Sequence, residues 1–111
     1  MNKYIVIYHA PAEAMEMMAD ATPEQKAEGM KPWMAWAEKC GDQLIDLGSP
    51  LVGGLKLSPD GSAAPSQKEV TGYSILQAES MDGAKALLEG HPHLAWTGGC
   101  DIEVHECVPL M

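Results

Sequence analysis

Apolar and polar positions alternate in the first residues of the chain as they do in a β-strand. The segment 3–9, "KYIVIYH", is dominated by β-branched and aromatic residues. Alternation divides these residues between two faces, with Tyr4, Val6 and Tyr8 on one and Ile5, Ile7 and His9 on the other. A strand that is largely apolar on both faces is usually covered on both. The pattern therefore predicts a first strand that needs a second covering layer.

Helical patterns follow this strand. The segment "PAEAMEMMAD" is rich in alanine, methionine and glutamate, which are good helix formers. After a break at "DATP", Thr22 is placed as an N-cap, Pro23 stands at the first helical position, and Gln25 is spaced for a capping box. A short helix and then a longer one are predicted.

The longer helix has one apolar stripe and an end that the pattern does not fix. Residues at spacings of three and four form the stripe: Met30, Trp33, Met34, Ala37, Cys40, Leu44 and Leu47. Gly48 is a natural stop. Because Pro32 and Gly41 are unfavourable inside a helix, three alternatives remain. The helix starts late, bends at Pro32, or ends at Cys40 with "QLID" already extended.

The second half of the chain predicts three strands and a helix. "SPLVGGLKLS" is a strand weakened by Gly53 and Gly54, "SPDGSAAPSQKE" is an exposed, mobile hairpin arm, and "VTGYSILQA" is the third strand. A helix follows from its N-cap Ser80 to Gly90. Its predicted buried stripe is Met81, Ala84, Leu87 and Leu88. The fourth strand, "CDIEVHECV", alternates, with Cys100, Ile102 and Val104 inward and Asp101, Glu103 and His105 outward.

The resulting order, β-α-β-β-α-β, is that of a ferredoxin-like α+β domain, which we expect to span residues 1–111 as a single domain. Such a domain has a four-stranded antiparallel sheet with its helices on one face. The other face is left bare, although the first and third strands carry apolar residues on both faces. We therefore predict a homodimer in which the two sheets pack face to face.

Composition excludes several classes of partner. The chain has 16 acidic and 7 basic residues and a formal net charge of -9, which repels nucleic acid and anionic lipid. No apolar run approaches the roughly 18 residues of a membrane span, and the N-terminal stretch reads as a strand and not as a signal peptide. Three cysteines without a C-x-x-C pair argue against a disulfide framework or a zinc ribbon. Reduced thiols indicate a cytoplasmic protein.

Several segments together resemble the YCII-related domain family. They are the two-faced first strand, "MKPWMAW", "GDQLIDLGSPL", "TGYSIL", the helix ending in "EGHPHL", and the final "GGCDIEVHECVP". The resemblance covers nearly the whole chain, and the set "TGYSIL", "HPHLA" and "GG.IEV" is its most specific part. It implies a dimeric α/β barrel built from ferredoxin-like subunits.

The resemblance also implies a small-molecule enzyme with a histidine–aspartate pair near the cleft between helices and sheet. This sequence departs from that pattern at two positions. His91 stands where the family typically has an acidic residue, and Met30 stands about where a histidine is expected. The pair is therefore not carried over to this chain.

The segment "GHPHL" supports three interpretations. In the first it is architectural: Gly90 and Pro92 stop the helix, and a histidine caps its last carbonyls. In the second, His91 and His93, with His9 as a third member, are catalytic residues that transfer protons. In the third, His91 and His93 bind a metal together with His9 or His105, although the H-P-H spacing is no recognised metal motif.

The leading functional hypothesis is a cofactor-free small-molecule enzyme or ligand-binding protein that uses histidine acid/base chemistry. Tyr8, Trp36 and Trp96 are candidate aromatic walls for a small organic substrate. No nucleophile elbow, P-loop, dinucleotide fingerprint or H-E-x-x-H motif is present, so no cofactor or metal is predicted. The alternative is a non-catalytic dimeric ligand-binding or accessory module.

Overall fold

The computed structural model describes residues 1–96 and 98–110, and it contains the predicted α+β architecture. In chain order the elements are β1 (Asn2–His9), α1 (Ala12–Asp20), α2 (Pro23–Cys40), β2 (Leu44–Asp46), β3 (Leu55–Leu57), β4 (Ala63–Pro65), β5 (Val70–Ala78), α3 (Met81–Leu87) and β6 (Asp101–Cys107). Short 3-10 helices lie at Gly41–Gln43 and Pro92–Ala95. Four strands form an antiparallel sheet in the order β2-β5-β1-β6, which confirms the ferredoxin-like fold.

The core lies between one face of this sheet and the helices. The buried residues of β1 are Tyr4, Val6 and Tyr8, as alternation predicts. They pack with Leu76 and Ala78 of β5, Trp36 and Cys40 of α2, and Ala84 and Leu88 at α3. On the opposite face, Ile5, Ile7, Tyr73 and Ile75 are only partly buried. The second apolar face therefore exists, and no helix of the described chain packs it to full burial.

The capping box of α2 forms as predicted. The Thr22 hydroxyl accepts the Gln25 main-chain N–H at 3.1 Å, and the Gln25 side-chain oxygen accepts the Thr22 N–H at 2.9 Å. The helix continues through Pro32 and ends at Cys40, with Gly41 as its C-cap. The end at Cys40 is confirmed and the late start is wrong, while a bend at Pro32 stays a prediction. Of "QLID", Leu44–Asp46 are extended and Gln43 lies in the 3-10 helix.

Parts of the predicted apolar stripe are wrong. Met30 and Met34 are 46% and 52% exposed, and the fully buried residues of α2 are Trp36 and Cys40. Leu44 and Leu47 lie beyond the helix, so Gly48 is not its stop. The reason is that their spacing continued the helical period only by coincidence, across a chain reversal at Gly41. In α3, Met81 is 40% exposed, whereas Ala84 and Leu88 are buried.

The second strand of the sheet is "LID" and not "SPLVGGLKLS". Leu44 pairs with Leu76 and Asp46 with Ile75, and after an isolated bridge between Pro50 and Gly72 the chain leaves the sheet. Within the described residues, strands β3 and β4 pair only with each other and form a two-stranded hairpin, Leu55–Pro65, which we call the arm. The residues of both strands are exposed. Exposure was predicted for residues 58–69 and not for Leu55–Leu57, and the mobility of the arm stays a prediction.

Two further sequence expectations concern strand β6 and the cysteines. Ile102 and Val104 are partly buried and their neighbours in β6 are exposed, which confirms the alternation, but Cys100 precedes the strand.

Cys40, Cys100 and Cys107 all lie in the described part of the chain and are free. Among the described residues, no helix is both long and apolar enough to cross a membrane.

Gly48 occupies a turn in which no side chain fits, which gives a stability prediction. Its φ is +83°, and a Cβ built on it would lie 1.7 Å from the Tyr73 carbonyl oxygen. Strain and forced backbone displacement together should make Gly48→Ala destabilising by roughly 3 kcal/mol. The matched control is Gly53→Ala, which has φ +67° but open space around its Cβ and should cost only about 1 kcal/mol. Urea unfolding of both variants tests the difference, and equal costs would contradict it.

Candidate functional site

Five aromatic and histidine side chains meet beneath the helices, and we call them the inner cluster: Tyr8, Trp33, Trp36, His91 and His93. Strand β1 contributes the tyrosine, α2 the two tryptophans, and the loop after α3 the two histidines. The His91 ring centroid lies 4.4 Å from that of Trp36 and 4.6 Å from that of Trp33. His91 is fully buried and His93 is 3% exposed.

A chain of hydrogen bonds orders the polar atoms of this cluster. The His91 Nδ1 accepts the main-chain N–H of His93 at 3.0 Å, so the ring proton of neutral His91 lies on Nε2. That nitrogen is 3.3 Å from the Tyr8 hydroxyl, to which it donates. The Tyr8 hydroxyl donates to Ser74 Oγ at 2.7 Å, and Ser74 donates to the Leu47 carbonyl at 2.6 Å. Both ring nitrogens of His91 and the hydroxyls of Tyr8 and Ser74 therefore have hydrogen-bond partners.

Burial keeps the hydrogen-bonded side chains of His91 and Tyr8 uncharged. Desolvation, with a smaller contribution from the neighbouring His93, lowers the pKa of His91 to about 4. Desolvation also raises the pKa of Tyr8 to about 12, against the opposing effect of the Ser74 hydrogen bond. Both groups are thus neutral at pH 7, and the proton positions of the inner cluster are fixed by its hydrogen bonds.

The loop "GHPHL" is built around these contacts. His91 is the N-cap of the 3-10 helix Pro92–Ala95, where its side chain accepts the His93 N–H. The Leu88 carbonyl at the end of α3 is capped by the main-chain N–H of His91 at 3.2 Å, and the Leu87 carbonyl accepts the Trp36 indole N–H at 2.8 Å. The structure therefore differs from the architectural interpretation in one part: the His91 side chain caps the following 3-10 helix and not the last carbonyls of α3.

A second group of polar side chains lies on the opposite face of the sheet, and we call it the outer cluster: His9, Glu103 and His105. The His9 Nδ1 donates to the Lys68 carbonyl at 2.8 Å. Its Nε2 is 3.3 Å from Glu103 Oε1, which is within ion-pair range, yet this buried nitrogen has no hydrogen-bond partner among the described residues. His105 Nε2 lies 2.7 Å from Glu103 Oε2. The hydrogen bond from His105, together with the charges of both histidines, lowers the pKa of the Glu103 carboxyl.

An open cleft adjoins the outer cluster. It has a volume of about 270 Å³ and is lined by His9, Lys68, Glu69, Gly99, Asp101 and Glu103. His9 therefore lines a cleft, while its Nε2 is buried beside the Glu103 carboxylate. The two clusters meet at the end of β1, because His93 Nε2 donates to the main-chain carbonyl of His9 at 2.7 Å.

The predicted site residues thus divide between two places. His91, His93, Tyr8 and Trp36 come together, Trp96 lies with its ring centroid 6.1 Å from that of His93, and the His9 ring lies on the other face. The sequence analysis did not select Ser74, Trp33 or Glu103. Alternation in β1 and β6 was the signal for Glu103, since it places Glu103 and His9 on the outward face of their strands.

The metal alternative does not assemble in the described chain. Within residues 1–96 and 98–110, no group of three or more histidine, cysteine, aspartate or glutamate side chains is arranged to hold a metal ion. The ring nitrogens of His91 are both engaged in hydrogen bonds, and His105 is on the far side of the sheet from it.

Fold and site define a small ferredoxin-like α+β domain with a polar cleft beside a histidine. The family model of the YCII-related domain matches residues 1–107, and the chain belongs to that family. A search of curated proteins finds no match. Among solved structures, the chain is similar to 5-chloro-2-hydroxyhydroquinone dehydrochlorinase from Burkholderia phenoliruptrix AC1100, in complex with 2,5-dihydroxybenzoquinone. The identity is 17%, the TM-score is 0.48, and the match covers 93% of this chain and 91% of that one.

Because the pKa of His91 is lowered in the folded protein, the free energy of unfolding should decrease as the pH falls. Between pH 6.5 and about 4 the unfolded chain binds a proton at this residue and the folded chain does not, so stability falls as pH falls. The loss should be roughly 3 kcal/mol between pH 7 and pH 4. We expect His91→Asn to lack this part of the loss and the exposed control His105→Asn to retain it. Urea unfolding across the pH range measures it, and parallel curves for all three proteins would contradict the assignment.

Proposed function

We propose that this protein is a cofactor-free small-molecule enzyme or ligand-binding protein in which His9 exchanges a proton with the ligand. One observation carries the proposal. The His9 ring is anchored through Nδ1 to the Lys68 carbonyl, while its Nε2 is buried beside the cleft without a hydrogen-bond partner in the described chain. A general base needs a ring nitrogen with a fixed orientation and a lone pair. Contact between Nε2 and a ligand requires the Glu103 side chain, which is 54% exposed, to move aside.

Glu103 supplies the electrostatic partner for this chemistry. In the neutral ring Nδ1 carries the proton, so Nε2 accepts a proton from the ligand and the ring becomes a cation. The Glu103 carboxylate, 3.3 Å away, then faces that cation. His105 holds the other carboxylate oxygen at 2.7 Å. The proton therefore passes from the ligand to His9 Nε2 and is returned from it in the reverse step.

The inner cluster takes a supporting role in this proposal. His93 fixes the carbonyl of His9, and His91 fixes the N–H of His93. Direct proton transfer by His91 or His93 is the weaker form of the hypothesis, because both side chains are almost fully buried and hydrogen-bonded. Of the proposed aromatic walls, Tyr8 and Trp36 are 3% and 4% exposed and Trp96 is partly exposed, and none of the three lines the cleft of His9.

A non-catalytic dimeric ligand-binding or accessory module is the second candidate. The observation that favours it is the saturated hydrogen bonding of the inner cluster, which is what a purely structural core requires. The two candidates differ in the outer cluster. A catalytic His9 reacts with a proton donor in the cleft, whereas a structural His9 does not.

A generic proton-abstraction probe tests the assignment of His9. We expect the protein to open the ring of 5-nitrobenzisoxazole faster than imidazole at equal concentration, and His9→Ala to lower the rate by about 100-fold. The matched control is Lys26→Ala, at an exposed position on α2 that does not line the cleft; it should retain the rate. A wild-type rate no higher than that of imidazole, or an unchanged rate in His9→Ala, would refute the role of His9.

We further propose that the protein works as a homodimer through its sheet faces, in the cytoplasm. Support comes from the partly exposed apolar residues on the open face of the sheet, Ile5, Ile7, Tyr73 and Ile75. Burying such residues is favourable by roughly 25 cal/mol per Å². The free cysteines support the cytoplasmic assignment, because reduced thiols persist there.

Light scattering tests the homodimer directly. At micromolar concentration we expect twice the chain mass of 11.9 kDa. Ile5→Glu places a charge in the middle of the open face and should shift the protein towards the monomer. Met34→Glu, at an exposed position on α2, is the control that should leave the dimer intact. A monomeric wild-type protein would overturn this proposal.

A further inference from the structure

One residue at the cleft of His9 has a strained main chain. Among residues 1–96 and 98–110, Glu69 is the single non-glycine residue with a positive φ, +57°. Side chains crowd the backbone in this left-handed region, which glycine, asparagine and aspartate adopt more readily than glutamate. The Glu69 side chain is exposed and lines the cleft. Strain of this kind persists only where surrounding contacts hold it, and it concentrates at functional sites.

Two main-chain carbonyls provide the contacts that hold Glu69 in this conformation. The Glu69 carbonyl accepts the Ala10 N–H at 3.1 Å, and the Lys68 carbonyl accepts the His9 Nδ1 proton at 2.8 Å. The φ angle of Glu69 is a torsion of the main chain between these two carbonyls. Because the Glu69 carbonyl is fixed at the end of β1, this torsion decides where the Lys68 carbonyl points. A negative φ would turn the Lys68 carbonyl away from the His9 ring.

The strand pairing is also irregular at this position. The register between β1 and β5 shifts directly before His9, which faces Val70, and Thr71 is left as an extra residue in β5. The Thr71 hydroxyl donates to the Tyr8 carbonyl at 3.2 Å. Bulges of this kind change the direction of neighbouring side chains and are frequent beside functional sites. The extra residue Thr71 and the left-handed Glu69 therefore flank the residue that faces His9.

Two acceptors compete for the single ring proton of a neutral His9. The Lys68 carbonyl oxygen lies 2.8 Å from Nδ1, and Glu103 Oε1 lies 3.3 Å from Nε2. A carbonyl oxygen only accepts, so its hydrogen bond requires the proton on Nδ1. Without that bond the carboxylate would favour the proton on Nε2, and Nε2 would then have no lone pair for a ligand. The direction of the Lys68 carbonyl therefore selects which ring nitrogen can act as a base.

We propose that Glu69 is a positioning residue for His9. Its left-handed main chain directs the Lys68 carbonyl at Nδ1 and thereby keeps the lone pair of the ring on Nε2. The inference rests on the proposed role of His9 as a general base and deepens it, because it names the residue that sets the tautomer. Glu69 acts through its backbone conformation, and its carboxylate is not required for this role.

The variants Glu69→Pro and Glu69→Asn separate the backbone of this residue from its charge. Both remove the carboxylate. Proline fixes φ at about −65°, whereas asparagine is among the residues that adopt the left-handed region. Nitrogen-15 NMR of the histidine rings distinguishes protonated from unprotonated ring nitrogens, and it is recorded at about pH 8.5, where an ordinary histidine is neutral. The variant His9→Gln identifies the His9 signals by their loss.

The His9 signals should respond to the backbone and not to the charge. In the wild-type protein and in Glu69→Asn we expect a protonated Nδ1 and an unprotonated Nε2. In Glu69→Pro the two nitrogens should exchange these states. The rate of ring opening of 5-nitrobenzisoxazole should fall about 10-fold in Glu69→Pro and should stay at the wild-type value in Glu69→Asn. Circular dichroism of each protein checks that the fold is retained.

Three results would overturn the role of Glu69. A protonated Nε2 in the wild-type protein does so without any variant, and it decides the question even where Glu69→Pro fails to fold. An unchanged tautomer in Glu69→Pro, or a changed one in Glu69→Asn, does the same.

Failure of this inference is distinguishable from failure of the proposed function. The ring spectra need no activity, so they decide the role of Glu69 even in a protein that does not open the probe. A wild-type protein that opens the probe through His9, with a tautomer that ignores Glu69→Pro, would keep the proposed function and remove Glu69 alone.

Discussion

The hydrogen-bond chain from His91 through Tyr8 and Ser74 to the Leu47 carbonyl crosses an otherwise apolar core. An unpaired polar group in such a place costs about 1–3 kcal/mol, so each member depends on the next. The chain joins segments that are distant in sequence: the end of β2, strands β5 and β1, and the loop after α3. It thereby fixes where the edge strand and the histidine loop lie relative to the centre of the sheet.

Much of the fold was predictable because its signals are local. Alternation identified β1, β5 and β6, and capping residues identified the starts of α2 and α3. The edge strand β2 escaped because it is three residues long and its Leu44 continues the helical spacing of the preceding residues. Periodicity records which positions are apolar and does not record that the chain reverses at Gly41. Only the pairing of Leu44 with Leu76, a contact across the sequence, decides between the alternatives.

The candidate site was less predictable because strand pairing determines which of its residues lie next to each other. His91 and His93 drew attention through their spacing, yet the structure surrounds His91 with aromatic rings and uses its side chain as a cap. The pair His9 and Glu103 is separated by most of the chain. It forms because β1 and β6 are neighbours with His9 opposite Asp101 and Ile7 opposite Glu103. No local pattern contains that register, although the division of β1 into two faces and the outward face of β6 were predicted from alternation.

The sheet separates two histidine environments with different chemical capacities. On the core side, desolvation keeps His91 neutral and hydrogen bonds occupy both of its ring nitrogens, so protonating it breaks the chain that holds the core. On the open side, His9 has one ring nitrogen hydrogen-bonded to the Lys68 carbonyl and one, beside a carboxylate, without a partner among the described residues. The hydrogen bond from His93 to the His9 main-chain carbonyl connects the core-side histidines to the strand end that carries His9. The core side of the sheet therefore stays uncharged near pH 7.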